Sequence, residues 1–286
     1  INPLTQDIIT TVSNGTLDDL QHAISSAHTA LPEWRQLSLS TRADFIFRLG
    51  EALLDHSKSI ATLITTEQGK PLQEAVGEIK YAASFLFSAA DNISALHEKT
   101  LPSDSKKTLK VVRHPLGIVA CITPWNFPAA MITRKIGPAL VCGNTVILKP
   151  SELTPLTALV LGELAHSIGL PKGVLNIITT LEAENLSNAL LSNPLIRKLS
   201  FTGSTSVGKS IIQRSSHHVC SLSLELGGHA PFIVFDDADI PHAVTEAIRC
   251  KFRNAGQTCI SANRFYIHHD IYELFLDQFN DALSQL

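Results

Sequence analysis

The chain has 286 residues, 44% of them hydrophobic and 17% charged, with a formal net charge of −3. At roughly 150 residues per domain that is enough for about two domains with filled cores; it is neither the composition of a disordered chain nor the basic balance of a nucleic-acid or anionic-membrane binder. No run of eighteen apolar residues lacks a polar break, the five cysteines form no CxxC pair and the twelve histidines no HExxH pattern, so neither a membrane span nor a disulfide framework nor a metal site is expected, and a reducing, cytoplasmic compartment is.

Thr16 or Asn14 caps a first helix whose apolar positions, Leu17, Leu20, Ile24, Ala27 and Leu31, recur three and four apart. A longer helix starts at Ser40-Thr41 and carries Phe45, Leu49, Leu53, Leu54, Ile60, Leu63 and Ile64 until Gly69 and Pro71 break it. A third runs from about 71 to 96. After the polar stretch 102–107, the alternation in Leu109-Lys-Val-Val-Arg113 reads as a hairpin outside the main sheet. From Gly117 on, β-rich runs (118–122, 145–148, 174–178, 198–201, 222–224, 232–235) alternate with helical ones (128–140, 155–168, 182–191, 206–216, 239–252). Thr154 caps the helix that Pro155 opens, and Gly169 ends it. Alternation with short connections predicts an α/β fold on a mostly parallel sheet. The chain opens at Ile1 without an initiator Met and ends at Leu286 inside an amphipathic pattern from Ile271. A longer natural protein is therefore expected, with room for an organellar targeting peptide.

Four places carry residue types suited to chemistry. Ile122-Thr-Pro-Trp-Asn-Phe-Pro128 is a rigid loop at a strand's C-terminal end, where α/β proteins bind ligands. Asn126 there either donates its amide to a developing oxyanion or caps a turn. Ile147-Leu-Lys-Pro-Ser-Glu152 leads from strand to loop; Lys149 and Glu152 suit the hydroxyls of a ribose, or the loop is simply solvated. Phe201-Thr-Gly-Ser-Thr-Ser-Val-Gly208 opens a helix with small residues that let backbone N–H groups face a phosphate. Gly203 with Gly208-Lys209-Ser210 also meets the P-loop spacing, for which Asp236-Asp237 are the candidate Mg²⁺ carboxylates. The fourth place is a pair of segments, Leu224-Glu-Leu-Gly-Gly228 and Gly256-Gln-Thr-Cys259. Glu225 beside two glycines is sterically open. Cys259 sits in a loop as a candidate nucleophile, whereas Cys121, Cys142, Cys220 and Cys250 have apolar surroundings and read as core.

Together PWNFP, KPSE, FTGSTxxG, ELGG and GQTC, in this order over the whole chain, resemble the aldehyde dehydrogenase superfamily. Pro124-Trp-Asn-Phe-Pro-Ala-Ala-Met-Ile-Thr-Arg-Lys135 and Lys251-Phe-Arg-Asn-Ala-Gly-Gln-Thr-Cys259 are most similar to its succinate-semialdehyde dehydrogenases. Ser261 stands where many of those enzymes carry a second Cys. That removes a disulfide switch and leaves room for another semialdehyde or aminoaldehyde oxidiser. The resemblance implies an α/β, Rossmann-type cofactor domain over 1–99 and 116–227, an oligomerisation hairpin over 100–115 and the start of a second α/β, catalytic domain over 228–286. It implies Cys259 as nucleophile, Glu225 as base for a hydrolytic water and Asn126 as oxyanion donor, with Lys135 either a proton-relay member or a plain surface lysine.

The implied cofactor is NAD, in preference to NADP. Its adenosine half falls on Lys149, Pro150, Ser151 and Glu152, with Gly203, Ser204 and Val207 near pyrophosphate and adenine and Thr123, Trp125, Asn126 and Leu226 along the nicotinamide path. Arg134 and Arg253 are implied to bind the distal carboxylate of a small aldehyde, succinate semialdehyde first, the alternative being a surface ion pair for each. No metal is implied, Lys209 becomes incidental, and the full-length protein is implied to be a homo-oligomer, a dimer or tetramer. An NTPase dependent on Lys209 and a truncated, non-catalytic paralogue are the rival readings.

Overall fold

Thr16 opens the first helix through a capping box: its hydroxyl accepts the Asp19 N–H at 3.2 Å, and Asp19 Oδ2 accepts the Thr16 N–H at 2.8 Å. Asn14 has another task, accepting the Leu181 N–H at 2.9 Å. The computed structural model describes residues 1–103 and 106–286. Helix α1 spans Leu17–Gln36, and α2 (Leu39–Asp55), α3 (Ser57–Gln68) and α4 (Leu72–Asp91) follow. The single long helix expected from residue 40 is thus two, divided at His56, whose φ of −97° and ψ of 12° leave the helical region. Leu53 and Ile60, both buried, stand two turns apart, so the apolar stripe crosses the division in phase and hides it. A hairpin of β1 (Lys99–Leu101) and β2 (Leu109–Val111) follows as a separate, exposed antiparallel pair. Residues 104 and 105 of its connection lie outside the described residues.

The main sheet comprises β3 (Ile118–Ile122), β4 (Thr145–Lys149), β5 (Leu175–Ile177), β6 (Ile196–Gly203) and β7 (Ser221–Leu226), in the order β5-β4-β3-β6-β7. Every residue of β3 and β4 is buried, which is why β3 and the 146–148 centre of β4 read as apolar runs without alternation. They pair in parallel, Ile118 opposite Thr145, and β3 pairs in parallel with β6 on its other side. Helices α5 (Ala130–Val141), α6 (Pro155–Ser167), α7 (Ala183–Ser192) and α8 (Thr205–Arg214) connect the strands. A single core joins Trp34, Ile46 and Leu86 of the N-terminal helices to Val119, Val146 and Ile132. One expected cap is corrected: Thr154 makes no side-chain bond to α6, because its φ of −139° and ψ of 58° depart from cap geometry. A residue from α3 takes its place, as described below.

The chain divides into two compact units, Ile1–Glu225 and Leu226–Leu286. The second holds β8 (Ala230–Val234), α9 (Ile240–Phe252), β9 (Ala262–Ile267) and α10 (Tyr272–Leu283). β8 and β9 pair in parallel over a core of Val234, Ile240, Val244, Ala247 and Phe275. Strand β9 is not foreseen in the sequence, since its early positions Asn263 and Arg264 are polar and exposed. Among the described residues no helix is long and apolar enough to cross a membrane.

Candidate active site

After β3 the chain runs outward through β4 and β5, then returns to the other side of β3 as β6. That reversal is a topological switch point, where open α/β sheets bind ligands at the carboxyl ends of the strands. A cavity of about 550 Å³ lies there, its lining including Thr123, Trp125, Lys149, Ser151, Glu152, Gly203, Ser204 and Val207. Asn126 and Pro150 lie on the same two loops but are not among the lining residues. Buried Lys149 donates to Glu152 Oε2 at 2.7 Å. Burial works against the Glu152 charge, but that bond and the backbone hold its carboxyl below the usual range. Thr123 N–H donates to the Lys149 carbonyl at 3.1 Å, tying the β3 and β4 loops together. Ser204 caps α8 by accepting the Val207 N–H at 3.3 Å. A Cβ on Gly203 would fall 2.4 Å from the Phe201 ring, so glycine is the residue that fits. Lys209 is exposed and does not line the cavity, which leaves the P-loop reading without its lysine. The sequence also gave no hint of Arg214 at this wall, where it donates to Asn188 and, at 2.9 Å, to Glu184.

Asn126 lies in the turn between β3 and α5, not on the helix that carries Arg134, because α5 begins only at Ala130. That turn is held from the N-terminal helices. Lys70, just after α3, pairs with Glu78 of α4 and donates to the Asn126 carbonyl at 2.8 Å. Glu78 Oε1 accepts the Ala129 and Ala130 N–H groups at 2.8 and 3.2 Å. Glu67 of α3 does the same for α6, accepting the Leu156 and Thr157 N–H groups at 2.9 Å each, and the Thr157 hydroxyl. Burial pushes the Glu67 carboxyl up against the pull of those bonds. Lys70, Glu78 and Glu67 went unrecognised in the sequence. The available signal was a carboxylate inside an apolar stripe: Glu78 between Ala75 and Ala82, and Glu67 three residues after Ile64.

A second cavity, of about 760 Å³, is lined by Arg134, Lys135, Lys198, Ser200, Ser223 and Glu225 among others. Arg134 Nη2 stands 3.5 Å from Glu225 Oε1, with both side chains about half exposed. Lys135 is no surface lysine: it is 8% exposed on the sheet-facing side of α5 and donates to Ser200 Oγ at 3.0 Å. Burial pushes its ammonium down to about 8, against the opposing pull of Cys121 and Glu225. The Cys121 thiol beside it is pushed up to about 12 by burial.

In the second unit, Arg253 is exposed at the end of α9, and Cys259 is exposed in the loop that leads to β9. Asn254, Ala255 and Gly256 take φ values of 54°, 53° and 75° in succession, a left-handed reversal ahead of the cysteine. The loop is closed by Gln257 N–H to the Asn254 carbonyl at 3.0 Å and by the buried Ser261 hydroxyl to the Lys251 carbonyl at 3.2 Å. A Cβ on Gly228 would sit 2.9 Å from the Cys259 carbonyl oxygen, so the second glycine after Glu225 permits that close approach. Leu226 begins this unit, and Asp236-Asp237 belong to it. Of the cysteines expected in the core, Cys121 and Cys220 are buried, but Cys142 and Cys250 lie at or near helix ends and are half-buried. His268, His269 and Asp270 bring their ligand atoms within 4.8 Å of one another at the surface, His269 Nε2 lying 2.8 Å from Asp270 Oδ1.

The profile of the aldehyde dehydrogenase family matches residues 1–286. Succinate-semialdehyde dehydrogenase (NADP(+)) GabD of Escherichia coli (strain K12) is 48% identical over 286 residues, covering 100% of this chain and 59% of that protein. A glutarate-semialdehyde dehydrogenase of Pseudomonas putida (strain KT2440) is 47% identical with the same coverage. The crystal structure of an E. coli NADP-dependent enzyme superposes with a TM-score of 0.97 at 47% identity, over 100% of this chain and 59% of that one. The chain thus spans about three fifths of the length of these relatives.

Proposed function

The chain belongs to the aldehyde dehydrogenase family, and on that premise we propose that it supplies the cofactor site and the nucleophile for an NAD(P)-dependent oxidation of an aldehyde. One observation carries the reading. The switch-point cavity is bordered by Trp125, the neighbour of Asn126, together with the Lys149–Glu152 pair and the Ser204-capped start of α8. A dinucleotide fits that donor set. Lys149 and Glu152 suit ribose hydroxyls, and the first amides of α8 suit a pyrophosphate. When bound, the nicotinamide takes up the hydride.

In this mechanism Cys259 Sγ attacks the aldehyde carbon as a thiolate. The Asn126 side-chain amide and the Cys259 N–H hold the resulting oxyanion, each donor worth about 3–4 kcal/mol in comparable sites. Loss of hydride leaves a thioester on Cys259. Glu225 takes a proton from water, whose oxygen attacks the thioester carbon and releases the acid and the thiolate. Lys135, held at about 8 beside the Glu225 charge, is suited to relay that proton. Arg134 and Arg253 receive a distal carboxylate on the aldehyde. Succinate semialdehyde is the first choice, and the names of the relatives support it and its glutarate homologue alike. The exposed β1–β2 hairpin supports assembly of the full-length protein as a homo-oligomer.

Glu152 supports NAD over NADP, because a 2′-phosphate would meet a carboxylate and like charges about 4 Å apart cost on the order of 1–4 kcal/mol. The opposite preference is also supported: the name of the E. coli relative carries NADP(+), and Lys149 at 2.7 Å offsets the Glu152 charge. In the full-length protein, Cys259→Ala is expected to abolish aldehyde-dependent NAD(P)H formation with either cofactor while cofactor binding, read by tryptophan fluorescence, persists. Normal turnover would remove Cys259 from the mechanism.

A further inference from the structure

The Lys70–Glu78 ion pair takes no part in the reaction above, yet both side chains are only 1% exposed. Buried ion pairs add little net stability, because desolvation offsets their attraction. Two charges inside an apolar helical layer therefore call for another reason, and their remaining contacts supply one. Lys70 Nζ donates to the Asn126 carbonyl at 2.8 Å and stands 4.1 Å from the centroid of the Phe127 ring. Glu78 gives Oε2 to Lys70 and Oε1 to the N–H groups of Ala129 and Ala130. Pro128, between them, has no N–H to offer. One ion pair thus grips the turn at both ends: at the carbonyl leaving Asn126 and at the amides opening α5.

Resting on the oxyanion role of Asn126, we propose that Lys70 and Glu78 are positioning residues that fix the Asn126 backbone and thereby the aim of its side-chain amide. With the backbone fixed, the amide has only the allowed rotamers of two torsions to choose among, and moving the backbone moves all of them. A charged donor suits the purpose, since charge-assisted hydrogen bonds are roughly twice as strong as neutral ones. A misplacement of about 1 Å at a reacting site costs about a hundredfold in rate. An orienting contact to the loop that holds the oxyanion donor is therefore felt in kcat rather than in cofactor affinity.

The test uses the full-length protein and the double variant Lys70→Met/Glu78→Gln. It leaves no buried charge unpaired and keeps an acceptor for Ala129 and Ala130, but takes the donor from Asn126. The expected result is a folded protein with unchanged cofactor affinity whose single-turnover NAD(P)H formation is about 10- to 100-fold slower. In an Asn126→Ala background the same double substitution is expected to cost nothing further, because nothing is left to aim. A wild-type rate in the folded double variant overturns the proposal. So does a loss that multiplies with that of Asn126→Ala, which would mark a general effect on the fold. If the double variant does not fold, Lys70→Leu/Glu78→Gln, which likewise leaves no buried charge unpaired, is measured instead, and failure of both to fold assigns the pair to stability and overturns the positioning role. Asn126→Ala at the wild-type rate removes the oxyanion assignment itself, and the proposal with it. A slow Asn126→Ala beside a fast double variant removes the positioning role alone.

Discussion

In the proposed reaction Arg134 would await the distal carboxylate of the substrate. It lies over the Phe85 ring at 5.8 Å and only 3.5 Å from Glu225, yet about half of it is exposed. An exposed pair of this kind is worth about 0–1 kcal/mol, so an incoming carboxylate can draw the guanidinium away at small cost and with better, forked geometry. Arg134→Ala and Arg253→Ala are each expected to lower kcat/KM for succinate semialdehyde roughly ten- to 150-fold, from about 1.5–3 kcal/mol per lost charge-assisted contact. A neutral aldehyde of similar length is expected to lose almost nothing; equal losses on both would make the arginines structural. Lys135 carries a different signature. Its ammonium is held at about 8, against 10.5 for the ordinary group, chiefly by burial. The folded chain therefore binds this proton more weakly than the unfolded chain, and stability attributable to Lys135 rises with pH between about 8 and 10.5. Below pH 8 the buried charge costs up to about 3 kcal/mol relative to a neutral group, at 1.36 kcal/mol per pKa unit. Melting curves of the parent protein and Lys135→Met are expected to converge as pH rises from 7 to 10. Curves that stay parallel would show that the lysine is not strained.

At the scale of elements, the loops that carry the site are shaped by carboxylates from other elements. Glu67 of α3 fills the capping place that Thr154 leaves vacant at α6, the helix that follows the loop bearing Ser151 and Glu152. Glu67→Ala is expected to cost about 1–3 kcal/mol by stranding buried N–H groups and to raise the KM for cofactor, whereas Glu67→Gln, which keeps the acceptor, is expected to cost less. Equal stability of the two variants would mean that water replaces the cap. What the sequence made legible follows the same division between local and distant. The limits of β3 were readable because Gly117 and Thr123-Pro124 bracket an unbroken apolar run. The α1 cap was readable only as Thr16 or Asn14; the Asp19 partner three residues after Thr16 is what decides between them. The loops that line the cavity of about 550 Å³ could be located for a related reason, since each joins a strand to a helix with its small and charged residues adjacent in sequence. The division at His56 was invisible because the stripe stays in phase, and β9 because its polar start masks its alternation. The loop partners of Lys70, Glu67 and Glu78 could not be assigned, since Asn126, Thr157 and Ala129 are 56, 90 and 51 residues away.

The two units differ in how completely they enclose their sheets. In the first, β3 and β4 are buried throughout, as parallel sheets usually are. In the second, the paired positions Ile233 and Tyr266 remain 57% and 52% exposed on one side of β8 and β9. The larger unit has its own internal order, set by the carboxylates that reach from its helices to its loops. Those contacts close only when α3 and α4, formed by residues 57–91, have docked against α5 and α6, which begin at residues 130 and 155. Contacts of such long sequence separation are costly to close early. The turn at Asn126 and the loop at Glu152 therefore acquire their shape late, on the native side of the folding barrier. Glu67→Ala is accordingly expected to leave the refolding limb of a chevron plot in place and to speed loss of the native state, its cost falling almost wholly on the unfolding rate. A slowed refolding limb would place the cap in the nucleus instead. The parts of the chain that arrange the chemistry would thus be the last to assemble and the first to let go.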